Sequence, residues 1–274
     1  MNRQVPESKK IEPIAIIGNG KAARHMMHYF DIVGQPFTHW FRAKKSLSHS
    51  PFDKNQSRLS RYKLKLQNIF KSSMSLESSF SDIQTVLILI PDDQIDSFIA
   101  KNPFLKNKVL IHFSGSLNSQ YAIGCHPLMT FGEQFYSLEK YQNIPFVVDQ
   151  GIKFKSIFPL LENPVHEIHS EDKALYHAYC VMAGNFSQML WKNIQQGLEQ
   201  LNLPAELMSA YLQQNTENFI QDSSLSATGP LVRGDVKTIA KHQKALLGHP
   251  LQNVYQSFYD LYNPDYQPVK RSEL

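Results

Sequence analysis

Residues 14–27 read IAIIGNGKAARHMM, and no other stretch limits so strongly what the chain can fold into. Ile14–Ile17 is a short, wholly apolar run rich in β-branched side chains, the composition of a strand buried on both faces. Gly18-Asn19-Gly20 supplies a turn. Ala23, Met26, Met27, Phe30 and Val33 then recur at helical spacing. Gly34 falls where a helix stops, and Pro36 follows it. Residues 37–41, FTHWF, suit a second strand. The first 41 residues therefore predict a β-turn-α-β unit.

The same alternation continues. Strands are predicted at 85–90 (TVLILI), 108–113 (KVLIHF), 121–125 (YAIGC) and 145–148 (PFVV). Pro91-Asp92-Asp93 stops the first of these and starts a helix to about Ala100, with the two aspartates as helix caps. Residues 46–60 are polar and serine-rich, as a loop or insertion would be. Strands separated by helices imply a parallel sheet covered on both faces. Beyond about residue 165 the pattern becomes helical. Ser170 is expected to cap a helix running to about Leu201, with Glu171 and Asp172 in its first turn. Further helical patterns cover 204–221, 235–247 and 250–262. The expected organisation is a sheet domain over 1–165 and a helical domain over 166–274.

Composition excludes several classes. No run of roughly 18 apolar residues is present, so no membrane span is expected. MNRQVPESKK lacks the apolar stretch of a secretory leader, and Cys125 and Cys180 are too few for a disulfide scaffold, so a cytoplasmic protein is expected. The net charge is +4, yet eight of the 28 basic residues lie between 42 and 65 against the single acid Asp53. The remainder is slightly acidic. A nucleic-acid binder would spread its basic charge and interleave aromatic rings, and only Phe52 and Tyr62 do so here.

The glycine turn has the G-x-G-x-x-A form, carried by Gly18, Asn19, Gly20, Lys21, Ala22 and Ala23, between a strand and a helix. Gly18 permits a tight turn, Gly20 lets a pyrophosphate approach the backbone, and Ala23 lets the helix pack close to the sheet. The free N–H groups of the helix N-terminus then face the phosphates. The competing reading is a strand-helix turn without a ligand. An NAD site usually places an acid on the ribose about 20 residues further on. Residues 38–45, THWFRAKK, hold no acid but carry Arg42, Lys44 and Lys45. An arginine fork matches a 2′-phosphate, so NADP is favoured, against a merely solvated basic loop.

With IIGNGKAA, HFSGSL (112–117), GCHPLMTF (124–131), TGPLVRGD (228–235) and, more weakly, YHAYCVMAGN (176–185), the chain resembles a bacterial family. That family pairs a Rossmann-like NADP-binding domain with a helical C-terminal domain of unknown function. It lies within the 6-phosphogluconate dehydrogenase-like superfamily, where pyrroline-5-carboxylate reductase and ketopantoate reductase are better understood. The resemblance implies an α/β Rossmann-type parallel sheet followed by a mainly α-helical domain, NADP binding, and a homodimer formed through the helices. It implies no particular substrate.

Ligands of open α/β sheets bind beyond the carboxyl ends of the strands. Ile90, Pro91 and Asp92 are expected to pass near the cofactor. Ser114 is a candidate for the nicotinamide amide or a substrate oxygen, and Ser116 for the substrate; an ordinary polar turn explains both equally well. His126, before Pro127, is the candidate proton donor to a carbonyl or imine, since histidine titrates near neutrality. Asn185, expected to be a buried amide on the long helix, is a candidate substrate contact, as relatives place a polar side chain from this helix there. Arg233 suits a substrate carboxylate, or a pairing with Asp235. His25/His28 and His166/His169 are spaced i, i+3 without completing a metal set, and the first pair is expected on an exposed helix face. Cys125 and His126 are adjacent on a strand and point to opposite faces, so no thiol nucleophile is expected. The leading expectation is an NADP-dependent oxidoreductase for a small carbonyl, imine or hydroxy acid. The alternative is a non-catalytic NADP-binding sensor or regulatory protein.

Overall fold

In the computed structural model, which describes residues 11–41, 76–224 and 228–262, the IAII run is strand β1 (Ile14–Ile17), buried at every position. Helix α1 (Lys21–Val33) follows and stops at Gly34, whose φ of 77° is left-handed. Next come β2 (Phe37–Trp40), the short α2 (Leu76–Ser79), β3 (Thr85–Ile88), α3 (Asp92–Lys101) and a 3₁₀ segment (Pro103–Asn107). Then follow β4 (Val109–His112), β5 (Ile123–Pro127), α4 (Leu138–Gln142), β6 (Phe146–Asp149), α5 (Phe154–Ile157) and β7 (Val165–Ile168). The serine-rich stretch 46–60 lies outside the described residues.

The seven strands are ordered β2-β1-β3-β4-β5-β6-β7. The order reverses at β1, which pairs in parallel with both β2 and β3. Alternate strand residues feed two cores. Ile14, Ile16, Leu87, Ile111 and Cys125 face Ala23, Met26, Tyr29 and Phe30 of α1. Ala15, Ile17, Val86, Ile88 and Leu110 face Ile95 and Ile99 of α3. A strand buried on both faces needs no polar alternation, which is why these runs are apolar throughout.

Two expectations are corrected and one element is new. The sheet is not wholly parallel, because β5 and β6 run antiparallel; an apolar run fixes burial, not direction. The fifth strand begins at Ile123 rather than 121. The N–H groups of Tyr121 and Ala122 are held instead by the Ser119 hydroxyl, at 3.1 and 3.0 Å. β7 was not expected: its Val165, His166 and Glu167 are exposed, as on a sheet edge, and give no apolar signal.

The long helix opens with the 3₁₀ turn Ser170–Asp172, and no side chain caps either that turn or the helix proper, so Ser170 is not a cap. It continues as α6 (Lys173–Val181), a π-helical turn (Met182–Phe186) and α7 (Ser187–Gln200). Then come α8 (Leu207–Gln221), α9 (Pro230–Arg233), α10 (Val236–Ala245) and α11 (Gln252–Tyr262). The chain forms two compact units, Met1–Gln188 and Met189–Leu274. β7 and the first half of the long helix thus belong with the sheet, beyond the change of composition near 165. In the second unit α9, α10 and α11 pack on one another, and His242 Nδ1 lies 3.1 Å from the Tyr255 hydroxyl.

Candidate active site at the carboxyl edge of the sheet

The cradle begins with Gly18. Its φ is +123°, and a Cβ there would lie 2.0 Å from the carbonyl oxygen of Leu89. The turn therefore needs glycine because the chain leaving β3 passes against it. The ring of His39, on β2, donates its Nε2–H to the Gly18 carbonyl at 2.6 Å and holds the turn from the other side. Gly20 differs. Nothing lies within 4 Å of a Cβ added to it. Among the described residues no side chain caps α1 and no acid occupies its first turn, and the first of its N–H groups to meet a helix carbonyl is that of Arg24, on Gly20, so those of Lys21, Ala22 and Ala23 are the orphan donors of a helix N-terminus with the dipole behind them. Asn19 and Lys21 are exposed, while Ala23 is buried against the sheet. Lys21 and Arg24 pair with Glu133 at 3.0 and 3.3 Å. The cradle fits the phosphates of a dinucleotide on these observations. Arg42, Lys44 and Lys45 lie outside the described residues.

Ile90 and Pro91 follow β3 beside this turn, with Leu89 N–H donating to the Ile17 carbonyl at 2.7 Å. Asp92 does not cap α3, whose entry at Pro91 has no side-chain cap. Its carboxylate instead accepts the Ser114 hydroxyl proton. Ser114 is buried and also accepts the N–H groups of Ser116 and Leu117, at 3.3 and 3.0 Å. Ser119 repeats the arrangement with Asp96, one helical turn along α3. The loop after β4 is thus tied twice to α3, and the Ser114 hydroxyl has its donor and both acceptor positions in use. Ser116 is half-buried in this loop.

His126, at the end of β5, is half-buried on the α3 side of the sheet. Its Nδ1 lies 2.8 Å from the hydroxyl of Tyr176 on α6, and the His177 ring meets its own edge-on at 5.9 Å. A Cβ on Gly115 would come within 2.7 Å of the His177 ring and 3.3 Å of the His126 ring, so the β4 loop closes on both only through glycine. Burial, reinforced by His177, pushes the His126 pKa down to about 4. At neutral pH its imidazole is uncharged, contrary to the expectation of a histidine titrating near neutrality. Its Nε2 has no hydrogen-bond partner among the described residues and is not fully buried, so it is the ring nitrogen left open.

Beneath it lies a polar layer without a local signature. Lys173, 4% exposed, pairs with Asp149 at 2.7 Å, and Asp149 also accepts the Gly124 N–H at 2.6 Å. A Cβ on Gly124 would strike both partners. His112 is fully buried. Its Nδ1 accepts the Ser114 N–H at 3.2 Å, which leaves the ring proton on a buried Nε2 without a partner. Burial, then Lys173, brings its pKa down to about 4. A cleft of about 320 Å³ opens beside this layer, lined by Ser119, Asp149, His169 and Glu171 among others.

Other expectations change place. Asn185 is exposed rather than buried, within the π-helical turn. Arg233 is exposed and pairs with Asp235 at 2.7 Å. His25 is buried, not on an exposed face: its Nε2–H donates to the Gly132 carbonyl at 3.1 Å and its Nδ1 accepts the Tyr141 hydroxyl at 2.8 Å. Cys125 is buried in the core, and burial pushes its thiol up to about 12. Among the described residues no group of three or more His, Cys, Asp or Glu can hold a metal ion, and no helix is long and apolar enough to cross a membrane. Lys173 and Asp149 were not singled out from the sequence, and Tyr176 and His177 figured there only within the stretch YHAYCVMAGN, with no role of their own.

A parallel sheet reversing at β1, with a glycine cradle there and a helical region after it, defines the class: this is the Rossmann-type fold of NAD(P)-dependent reductases. Within that class, residues 152–261 match the family described as a domain of unknown function, DUF2520. A candidate NADP oxidoreductase of Bacteroides fragilis aligns over 92% of this chain and 97% of its own, at 18% identity and a TM-score of 0.65. Protein TM1727 of Thermotoga maritima aligns over 91% and 96%, at 20% identity and 0.62. A Plasmodium falciparum pyrroline carboxylate reductase, with NADP bound, aligns over 92% and 98%, at 12% identity and 0.54. No protein of curated function matches the sequence.

Proposed function

We propose that this protein is an NADP-dependent oxidoreductase, moving a hydride to or from a small carbonyl, imine or hydroxy-acid substrate. The observation that carries the reading is the α1 N-terminus, which among the described residues has no side-chain cap, no acid in its first turn and open space at Gly20. Such an end satisfies its orphan N–H groups with phosphate oxygens. Gly18, Asn19, Gly20, Lys21, Ala22 and Ala23 would hold the pyrophosphate, and Ile90, Pro91 and Asp92 would border the ribose. Preference for NADP rests on residues 38–45, which have no carboxylate and include Arg42, Lys44 and Lys45. When bound, the nicotinamide supplies or accepts the hydride. His126 then acts as a neutral donor: its open Nε2–H steadies the substrate oxygen or nitrogen as negative charge grows there, and water supplies the proton that remains. Asn185 stands in a π-helical turn, a rare geometry frequent at functional sites, and is a candidate substrate contact with Ser116 and Arg233.

The non-catalytic sensor draws on one observation, the fully engaged Ser114 hydroxyl, which has nothing left to offer a substrate. Two free cysteines support a cytoplasmic location. A homodimer is part of the reading, because the helical unit exposes most of its large apolar side chains.

The test is a fluorescence titration of the purified protein with NADPH and with NADH. Tight NADPH binding is expected, with Arg42→Ala weakening it roughly ten- to a hundredfold, the worth of a charged hydrogen bond, and leaving NADH unaffected. Absence of binding by either cofactor would remove the oxidoreductase and the sensor together. Binding without turnover across a panel of small carbonyls and imines favours the sensor.

A further inference from the structure

His126 has two ring nitrogens in different surroundings. Nδ1 faces the Tyr176 hydroxyl at 2.8 Å, and Nε2 is left open. Which nitrogen carries the proton decides whether the open end donates or accepts. The Tyr176 hydroxyl meets His126, and Cys180, one helical turn away on α6, offers it a thiol as the other neighbour. The phenol has one proton to give. An imidazole nitrogen is a strong acceptor and a thiol sulfur a weak one, so the phenol proton goes to Nδ1. A ring whose Nδ1 accepts must carry its own proton on Nε2.

We propose that Tyr176 is a positioning residue that holds His126 as the neutral Nε2–H tautomer, so that the open nitrogen presents a donor to a substrate lone pair. This rests on the oxidoreductase reading for its purpose, but not for its geometry. It narrows the substrate class. A carbonyl oxygen or a neutral imine nitrogen offers a lone pair to Nε2–H, whereas a protonated iminium offers none. The groups facing the ring agree with a neutral state. His177 and Lys173 from α6 and His112 from β4 oppose a positive charge, and Asp92 from α3 alone favours one. Burial of the phenol keeps Tyr176 protonated through the physiological range.

The experiment is a long-range ¹H–¹⁵N spectrum of the histidine rings in the protein without cofactor or substrate, with His126 assigned by the loss of its signals in His126→Gln. The expected wild-type pattern at neutral pH is an unprotonated Nδ1 and a protonated Nε2. Tyr176→Phe is expected to move both shifts toward the averaged values of a tautomer mixture, and Cys180→Ala to leave them close to wild type. A protonated Nδ1 or an averaged ring in the wild type overturns the proposal, even if Tyr176→Phe does not fold. Unchanged shifts in a folded Tyr176→Phe overturn it too. Because no cofactor is present, failed NADPH binding would leave this result standing. A failure here would leave the cofactor reading standing without His126 as its donor.

Discussion

Gly18 and Gly20 sit two residues apart and answer to different neighbours. At Gly18 the demand comes from the protein itself, through φ +123° and the Leu89 carbonyl. At Gly20 the backbone is extended, with φ −72° and ψ −179°, which alanine adopts without strain. A Gly18→Ala change must therefore displace the chain after β3 as well as bear an unfavourable φ, and is expected to cost more than about 2 kcal/mol. The melting temperature should fall by several degrees. Gly20→Ala should melt within about one degree of wild type yet bind NADPH at least roughly tenfold more weakly, since its methyl enters the space a pyrophosphate would occupy. Calorimetry and the fluorescence titration, run on both variants, separate the two demands. Equal losses of stability would mean that Gly20 serves the turn and not a ligand.

The ends of β4 and β5, with α3 and α6 above them, make an element-scale layer of buried polar groups. Two of these are neutral histidines, His112 and His126, each with a pKa near 4. In the unfolded chain each titrates near 6.5. Between those values the unfolded state binds protons that the folded state refuses, so stability falls as the pH is lowered through that window. Each histidine contributes on the order of 3 kcal/mol of stability above pH 6.5 that is lost toward pH 4. Thermal unfolding measured from pH 7 to 4 is expected to decline steeply. His112→Asn, which keeps an acceptor for the Ser114 N–H but cannot titrate, should flatten part of that decline. An unchanged slope would mean that His112 is already charged in the fold. The Lys173–Asp149 pair adds little net stability of its own, because burying two charges offsets most of their attraction; its effect is to tie the start of α6 to the end of β6.

For the whole molecule, the helical unit poses the largest question. Ile239 is its one buried apolar residue among those described, while Met189, Leu207, Tyr211, Phe219, Phe258 and Leu261 are exposed. Helices gain most of their stability by covering an apolar face, and patches of this extent mark interaction surfaces. Sedimentation equilibrium is expected to report twice the 31.5 kDa chain mass, and charged substitutions at Phe219 and Phe258 to shift the protein toward monomer. A wild-type monomer at micromolar concentration would discard the homodimer.

How much was legible in the sequence follows from what each feature depends on. The β1-turn-α1-β2 unit, the later helices and the cradle could be read because strand burial, helical period and turn glycines are demands of the local backbone. The antiparallel β5–β6 pair, the exposed β7 edge and the burial of His25 could not. His25 finds its partner Tyr141 across 116 residues, Ser114 meets Asp92 across 22, and Lys173 meets Asp149 across 24. The sequence alone determined the Rossmann-type core and offered candidates for its chemistry. Only the tertiary structure decided which of them are spent on other side chains, as Ser114 is on Asp92, and which keep a free polar atom, as His126 does, because a side chain's hydrogen-bonding capacity is used up by neighbours that folding brings in from elsewhere in the chain.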